Sequence, residues 1–319
     1  LTLIPSLAGQ QVIGTAGAET LVGGGADDEI LGLDGDDSID GGAGRDIVDG
    51  GVGADTITTG AGRDQVEGGI GADTISTGAD DDVASGGGET DEISLGDGND
   101  TGVGGTGNDT ILGEDGDDSL SGGENDDSLD GGAQNDTLRG DEGEDTLVGG
   151  TGDDFLDGGA EADTLRGGDG NDNLSDFSFA ADELFGEGGN DTLAGDALLM
   201  DGGAGDDSIT LFDGFAGLTT LRGGDGNDTI AVERFQIADG VTLEGGLGDD
   251  SLTGASLRET REVMRGDAGQ DTLSGFGGND TLEGGDGEDR LVGGTGDDRI
   301  EGGDGTDTAV FAGVRADYS

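Results

Sequence analysis

From Gly14 to Ser175 the chain repeats itself every nine residues, eighteen times, with no insertion or deletion. One unit reads Gly104-Gly105-Thr106-Gly107-Asn108-Asp109-Thr110-Ile111-Leu112. The sixth place is Asp in seventeen copies and Glu19 in the first, and the eighth is Leu, Ile or Val in sixteen, with Ala84 and Gly102 as the exceptions. A constant spacing of one acidic and one aliphatic position is the mark of a stack of small equal parts, each of which buries its apolar face only against its neighbours.

The last three residues of a unit, such as Thr56-Ile57-Thr58, alternate outward, inward, outward. This predicts three-residue strands that pair with copies above and below at ~4.8 Å. The six residues before them hold up to three glycines, which permit a tight reversal of the chain. Two units then close one flat coil, and nine coils make a rod of roughly 43 Å over the strict region. The expected fold is all-β, a parallel β-roll.

In such a coil the sixth-place residue of one unit lies beside that of the next unit but one. One edge carries Asp37, Asp55, Asp73, Asp91, Asp109, Asp127, Asp145 and Asp163. The other carries Asp28, Asp46, Asp64, Asp82, Asp100, Asp118, Asp136, Asp154 and Asp172. Carboxylates stacked at ~4.8 Å repel by roughly 3.5 kcal/mol per neighbouring pair at an effective dielectric near 20. Closing the coils therefore calls for cations between the turns, about sixteen in the strict region. Calcium takes 6–8 oxygen ligands in flexible geometry and suits the arrangement better than magnesium, which demands tight octahedral geometry.

Composition supports the same ion. The net charge is −63, all twelve basic residues are Arg, and Lys, His, Cys and Trp are absent. Zinc, copper and iron lose their usual ligands, and disulfides are excluded. Nucleic acid and anionic membrane would be repelled. Such acidity normally signals disorder, but disorder needs no phase. No apolar run approaches the ~18 residues of a membrane span. Leu1 to Leu7 lack the basic start and long apolar core of a secretory signal peptide. With no initiator Met, and a strand expected to start near Asp317-Tyr318, the chain reads as a fragment of a longer protein.

Five zones follow. Residues 1–13 are a lead-in, 14–175 the strict repeat, and 176–265 a diluted form of it. Residues 266–310 return to the nine-residue step at Asp271, Asp280, Asp289, Asp298 and Asp307, and 311–319 begin a C-terminal cap. The diluted zone carries Asp191 and then Asp207, Asp228, Asp250 and Asp271 at spacings of 21, 22 and 21 residues. Each glycine turn there is followed by a longer segment ending in Thr220-Leu221-Arg222, Thr242-Leu243-Glu244 or Val263-Met264-Arg265. A coil of this zone is expected to have one glycine turn and one longer loop, hence a metal edge on one side only.

The pattern Gly-Gly-x-Gly-x-Asp-x-aliphatic-x, strict at 41–46, 149–154, 223–228 and 293–298, resembles the RTX, or haemolysin-type, calcium-binding repeat. The resemblance covers most of the chain. It implies a parallel β-roll, folding triggered by calcium outside the cell, and export through the type I secretion machinery of a Gram-negative bacterium. It also implies that the sixth-place Asp residues named above and the turn carbonyls are the calcium ligands. Ala26, Asp80, Glu89, Asn125, Gln134 and Glu161 depart from it by replacing the fourth-place Gly. Glu19 marks an end coil, and Gly102, lacking an inward aliphatic, marks the loosest coil.

Seventh-place Thr residues (Thr56, Thr74, Thr110, Thr137, Thr146, Thr164) follow from β-propensity on an outward site. An ice-binding face would need regular files of Thr and Asn, whereas the fifth place mixes Ala, Asp, Asn, Arg, Thr and Glu. The diluted zone holds six of the nine Phe (177, 179, 185, 212, 215, 235) and five of the twelve Arg (222, 234, 258, 261, 265). Wider coils need larger core fillers and Arg offsets local acidity; the sharper alternative is a surface or glycan ligand held by the long loops. Nothing resembles an assembled active site. The expected function is that of a secreted, extracellular, calcium-binding module. The alternatives are an adhesin segment and the appendage of a secreted protease or lipase.

Overall fold

The computed structural model describes residues 9–178, 180–212, 219–233, 240–256 and 261–311. The expectations placed on Phe179, Phe215, Phe235, Arg234, Arg258, the first seven residues and Asp317-Tyr318 lie outside them. The chain divides into two compact units, Leu1–Ala160 and Glu161–Ser319.

In the first unit, strands alternate along the chain between two parallel sheets. Thr56–Ala61 pairs with Thr74–Ala79 in register Thr56↔Thr74, Ile57↔Ile75 and Gly60↔Gly78. On the opposite sheet Ile47–Val52 pairs with Gln65–Ile70, with Val48↔Val66 and Gly51↔Gly69. Every partner lies 18 residues away, so two nine-residue units make one coil of a parallel β-solenoid.

The strands are longer than the expected three residues. Most run six, from the seventh place of one unit to the third of the next, so that only the fourth to sixth places turn the chain. The glycine doublet is therefore strand. Inside it exposure still alternates: in Thr56–Ala61, Ile57 and Thr59 are buried while Thr56, Thr58 and Gly60 are exposed. Two residues per strand face inward, the eighth-place aliphatic and the first-place residue, usually Gly. The core is thus a double row of Ile, Val and Leu, from Val12 to Leu156, all at most 6 % exposed.

The coil at Gly102 is not left hollow. A Cβ on Gly102 would lie 3.1 Å from Leu95 Cδ1, 3.0 Å from Ile111 Cγ2 and 3.2 Å from Leu120 Cδ2. Leu95 occupies a first place, where Gly is usual, and fills the volume that Gly102 vacates; both are buried.

The second unit has the same two-sheet construction with unequal strands. One sheet holds strands of six or seven residues such as Leu199–Ala204, Thr219–Asp225, Val241–Leu247 and Glu262–Ala268. The other holds strands of three or four, such as Thr192–Gly195, Ser208–Leu211 and Thr229–Val232. Met200, Leu221, Leu243 and Met264 stack in register and are wholly buried. Among the described residues, larger side chains reach this core at Leu211, Val232 and Val241 rather than as aromatic rings. Phe177 is exposed, and Phe185 and Phe212 are half-buried. Arg does offset local acidity: on the outer face Arg222 bridges Asp201 and Glu244, and Arg265 bridges Glu244 and Glu283. No helix among the described residues is long and apolar enough to cross a membrane.

Candidate metal centre

The sixth-place Asp ends each turn, immediately before the strand begins. Its amide donates to the Oδ1 of the sixth-place Asp one coil further on. In the first unit this links Asp37, Asp55, Asp73, Asp91, Asp109, Asp127 and Asp145 in one row at 2.7–2.8 Å. A second row links Asp28, Asp46, Asp64, Asp82, Asp100, Asp118, Asp136 and Asp154 at the same distances. In the second unit Asp172, Asp191, Asp207, Asp228, Asp250, Asp271, Asp289 and Asp307 continue in this manner at 2.8–3.2 Å. Asp163 is joined to Asp182, and Asp280 to Asp298.

These carboxylates are not on a solvent edge. From Asp28 to Asp289 every one is at most 4 % exposed; Asp298 and Asp307 are half-buried. The outward–inward alternation of a strand does not extend into the turn, so the sequence period could not show which way the sixth side chain points.

One oxygen of each carboxylate is thereby satisfied. The other is not: Oδ2 of Asp37, Asp46, Asp55, Asp73, Asp91, Asp109, Asp118, Asp127 and Asp136 is buried and accepts no hydrogen bond, and the same holds for Asp191, Asp207, Asp228, Asp250 and Asp271. A buried charged oxygen without a partner costs at least ~1–3 kcal/mol. Burial raises the carboxyl pKa values accordingly, against the lowering effect of the single amide, and neighbouring carboxylates add to the rise. Asp46, Asp73 and Asp118 are pushed up to about 6, Asp82, Asp91 and Asp127 to about 7, and Asp136 to about 8.

The orphaned oxygens face a cradle. A Cβ placed on the first-place Gly50 would lie 2.5 Å from Asp55 Oδ2 and 2.6 Å from the carbonyl oxygen of Gly68, in the next coil of the same edge. Gly104 repeats the geometry with Asp109 Oδ2 at 2.4 Å and the Gly122 carbonyl at 2.6 Å. Fourth-place carbonyls also point along the stack, Gly35 O lying 2.2 Å from where a Cβ on Gly53 would be. A carboxylate oxygen and backbone carbonyls converging where no side chain can enter form an all-oxygen donor set. That set fits a hard divalent cation, calcium before others.

The fourth-place substitutions leave the turns largely intact. Asp80, Glu89, Asn125, Gln134 and Glu161 all adopt positive φ, between 73° and 81°, in the manner of the glycine they replace; Ala26 does not. Three first-place substitutions alter the cradle itself. Thr59, Thr77 and Leu95 replace Gly in the turns of Asp64, Asp82 and Asp100 and are fully buried, with the Thr hydroxyls donating to the carbonyls of Thr77 and Leu95. Glu19 turns its longer side chain onto its own turn, accepting from the Thr15 amide at 3.0 Å.

A second ladder was hidden in the mixed fifth place. Where that residue is Asp or Asn, its Oδ1 accepts the fifth-place amide of the following coil, as from Arg45 to Asp27 at 2.9 Å. In the second unit this runs unbroken through Asn171, Asn190, Asp206, Asn227 and Asp249 to Gln270. The fifth side chain thus reaches forward along the stack and the sixth reaches back.

The opposite edge of the second unit changes character. Its sixth place passes from Asp182 to Leu198, Thr219 and Val241 before acidic residues return at Glu262 and Asp280, while Leu211 and Val232 occupy first places. Uncharged side chains there take the carboxylate position, half-buried at Leu198 and buried at Thr219 and Val241, and Leu211 and Val232 fill the glycine cradle.

The family profile of the RTX calcium-binding nonapeptide repeat matches residues 13–48, 34–66, 41–75, 67–102, 103–138, 139–174, 179–197, 213–231, 241–256, 259–291 and 283–310. The chain belongs to this family. It is a calcium-binding β-roll repeat domain, a structural module rather than a catalytic fold. None of the curated proteins compared matches it. Among solved structures it is similar to a hyperactive, Ca2+-dependent, β-helical antifreeze protein from an Antarctic bacterium. The two are 20 % identical, with a TM-score of 0.44, over 86 % of this chain and 83 % of that one. A likeness of that degree carries no argument about function.

Proposed function

We propose that this chain is an extracellular module whose folding is driven by calcium after export through a type I secretion system. The sixth-place Asp residues and the turn carbonyls serve as ligands. The observation that carries this reading is the row of buried Oδ2 atoms without partners. A chain of net charge −63 cannot bury them at neutral pH without cations, so it remains extended in a calcium-poor cytoplasm and condenses where calcium is millimolar. Within the 176–265 zone, calcium on one edge only is expected for the coils of Leu198, Thr219 and Val241, between Asp182 and Glu262 on that edge. The turns of Asp64, Asp82 and Asp100, whose cradles are partly filled, bind more weakly than the rest.

Circular dichroism tests this. In chelator at pH 7.5 the chain is expected to show little β-structure, with a cooperative gain as calcium reaches the millimolar range. A full β-spectrum in chelator would end the proposal.

One observation favours a second role. Phe177 and Phe212 form a tilted ring pair, centroids 5.6 Å apart, and Phe177 is 53 % exposed. A pair of this kind on the interrupted edge suits stacking against a sugar face, as an adhesin segment would require. Replacing both with Ser should abolish retention on glycan arrays while leaving calcium uptake unchanged; retained binding removes the idea.

A further inference from the structure

At the start of the second unit three carboxylates converge where the repeat supplies two. Asp163 holds an ordinary sixth place. On the same edge the next sixth place falls 19 residues on, at Asp182, because the intervening turn is one residue longer; the Asp163 amide donates to Asp182 Oδ1 at 3.1 Å. The first place of that longer turn, Gly in most coils, is Asp176. It closes the strand Asn173–Asp176, in register with Gly195 of the next coil. In an ordinary turn the missing first-place side chain is what faces the carboxylate: a Cβ on Gly167 would lie 2.2 Å from Asp172 Oδ2. An Asp in this place therefore projects into the cradle itself.

The side chains bear this out. Oxygen atoms of Asp163, Asp176 and Asp182 lie within 4.8 Å of one another, and the three residues are 1 %, 0 % and 0 % exposed. Asp176 Oδ1 accepts the Ser178 amide at 3.0 Å, while its Oδ2 is buried and accepts nothing. The Ser178 hydroxyl donates to the Glu161 carbonyl at 2.9 Å and lies 3.2 Å from Asp182 Oδ2, which pins the longer turn beneath the cluster. Burial, and then the adjacent Asp176 carboxylate, raise the Asp182 pKa. Neither Asp176 nor Asp182 has an arginine partner among the described residues. Asp176 and Asp182, two carboxylates in one turn, are thus brought onto Asp163 with no arginine among the described residues to offset the charge of either.

We propose that Asp163, Asp176 and Asp182 form a calcium site distinct from those of the repeats, built from three carboxylates and tighter than they are. Its place explains its composition. The site is the last acidic turn of this edge before Leu198, Thr219 and Val241 close the cradle, so a firmly held ion anchors the coil from which the apolar edge continues. The choice of calcium rests on the reading of the repeats; the convergence of the carboxylates does not.

The test uses the full chain, stripped of metal and titrated with calcium chloride by calorimetry and equilibrium dialysis. Asp176→Asn keeps the shape and removes one charge, and Asp176→Gly restores the residue of an ordinary turn, which guards against a variant that fails to fold. Each is expected to remove one equivalent from the tightest class, or to weaken it at least tenfold, with the remaining equivalents and the calcium-loaded circular dichroism unchanged. Asp182→Asn should do the same. Unchanged number and affinity in both Asp176 variants would overturn the proposal, the carboxyls then being neutralised by shared protons, and would leave the repeat reading standing. A wild-type chain that takes up no calcium would sink both.

Discussion

The Asp55 amide donates to Asp73 Oδ1 at 2.7 Å, while Asp55's own Oδ1 receives the Asp37 amide at 2.8 Å. Each acid from Asp37 to Asp127 in this row is thus fastened through one oxygen to the coil before it, and the other oxygen is left inside without a donor. The row is neither a surface charge pattern nor a set of ion pairs. It is a column of half-satisfied buried acids, and the chain's response to protons and to calcium follows from that.

Without calcium, acid should therefore promote folding. Burial raises Asp207 and Asp250 to about 7 and Asp271 to about 6, as it raises Asp46, Asp73 and Asp118 to about 6, Asp82, Asp91 and Asp127 to about 7 and Asp136 to about 8. For a carboxyl whose folded pKa exceeds its unfolded value of 3.8, the folded form binds the proton more readily. Its contribution is fully present below 3.8 and is lost as pH rises through 6 to 8. In chelator, β-structure measured by circular dichroism is expected to grow as pH is lowered from 8 to 5, and calcium affinity to fall over the same range. Loss of structure on acidification in chelator would contradict the buried-acid column.

Backbone conformation sets a second test. Gly51 has φ 107°, and a Cβ there would fall 2.0 Å from the Leu33 carbonyl oxygen. Leu33, one coil earlier at the same second place, nevertheless holds φ 82°, and Glu114 in a later coil holds 77°. A non-glycine residue in the left-handed region costs about 1–2 kcal/mol. Gly51→Ala is expected to lower the melting temperature of the calcium-loaded protein. Leu33→Gly and Glu114→Gly should raise stability by about 0.5–1 kcal/mol, the strain relieved less the entropy glycine adds to the unfolded chain. Leu33 is exposed, so little burial is lost in the exchange.

The eighth-place aliphatic made the fold legible, because one inward residue per nine admits few arrangements, and the n, n+2 neighbourhood of the acids followed from it. What the period could not carry was direction within the turn. It placed Asp55 beside Asp73 but not beneath the surface, and it gave the glycine doublet to the turn although Gly69 pairs with Gly51 as strand. The fifth-place ladder escaped because Asp27 and Asn99 share a role that Ala and Arg elsewhere in that place do not. Asp176 and Asp182 escaped because their turn is one residue longer and leaves the nine-residue phase; the signal available was an Asp in a first place. The exchange between Leu95 and Gly102 escaped because the two stand in different columns of the repeat and meet only across the core.

That exchange is open to a compensation experiment. Leu95→Ala should cost about 2–5 kcal/mol, the range for opening a cavity in a packed core, because Gly102 offers nothing to collapse into the space. Gly102→Leu alone should also destabilise, since Leu95 Cδ1 already lies 3.1 Å from where its Cβ would be. Leu95→Gly combined with Gly102→Leu restores the ordinary assignment of both places and is expected to recover most of the loss. Additive losses in calcium-loaded thermal melts would show that the two positions do not share one volume.

The outer face of the second unit supplies a prediction of the opposite kind, small and salt-dependent. Arg265 lies between Glu244, at 2.8 Å, and Glu283, at 3.3 Å, on neighbouring strands of one sheet. Arg222 shares Glu244 from the other side at 3.1 Å, and Arg299 approaches Glu283 at 3.4 Å. These side chains are partly exposed, so each pair is worth about 0.2–1 kcal/mol and is screened by salt. Arg265→Ala is therefore expected to cost about 1 kcal/mol at low ionic strength and appreciably less in 0.5 M sodium chloride. Arg265→Glu should cost more, because it places three carboxylates in adjacent strands of a chain already carrying −63. Thermal melts in saturating calcium at the two salt concentrations separate this from packing: an Arg265→Ala deficit that does not shrink with salt would assign the loss to the buried stem of the arginine instead of its charge.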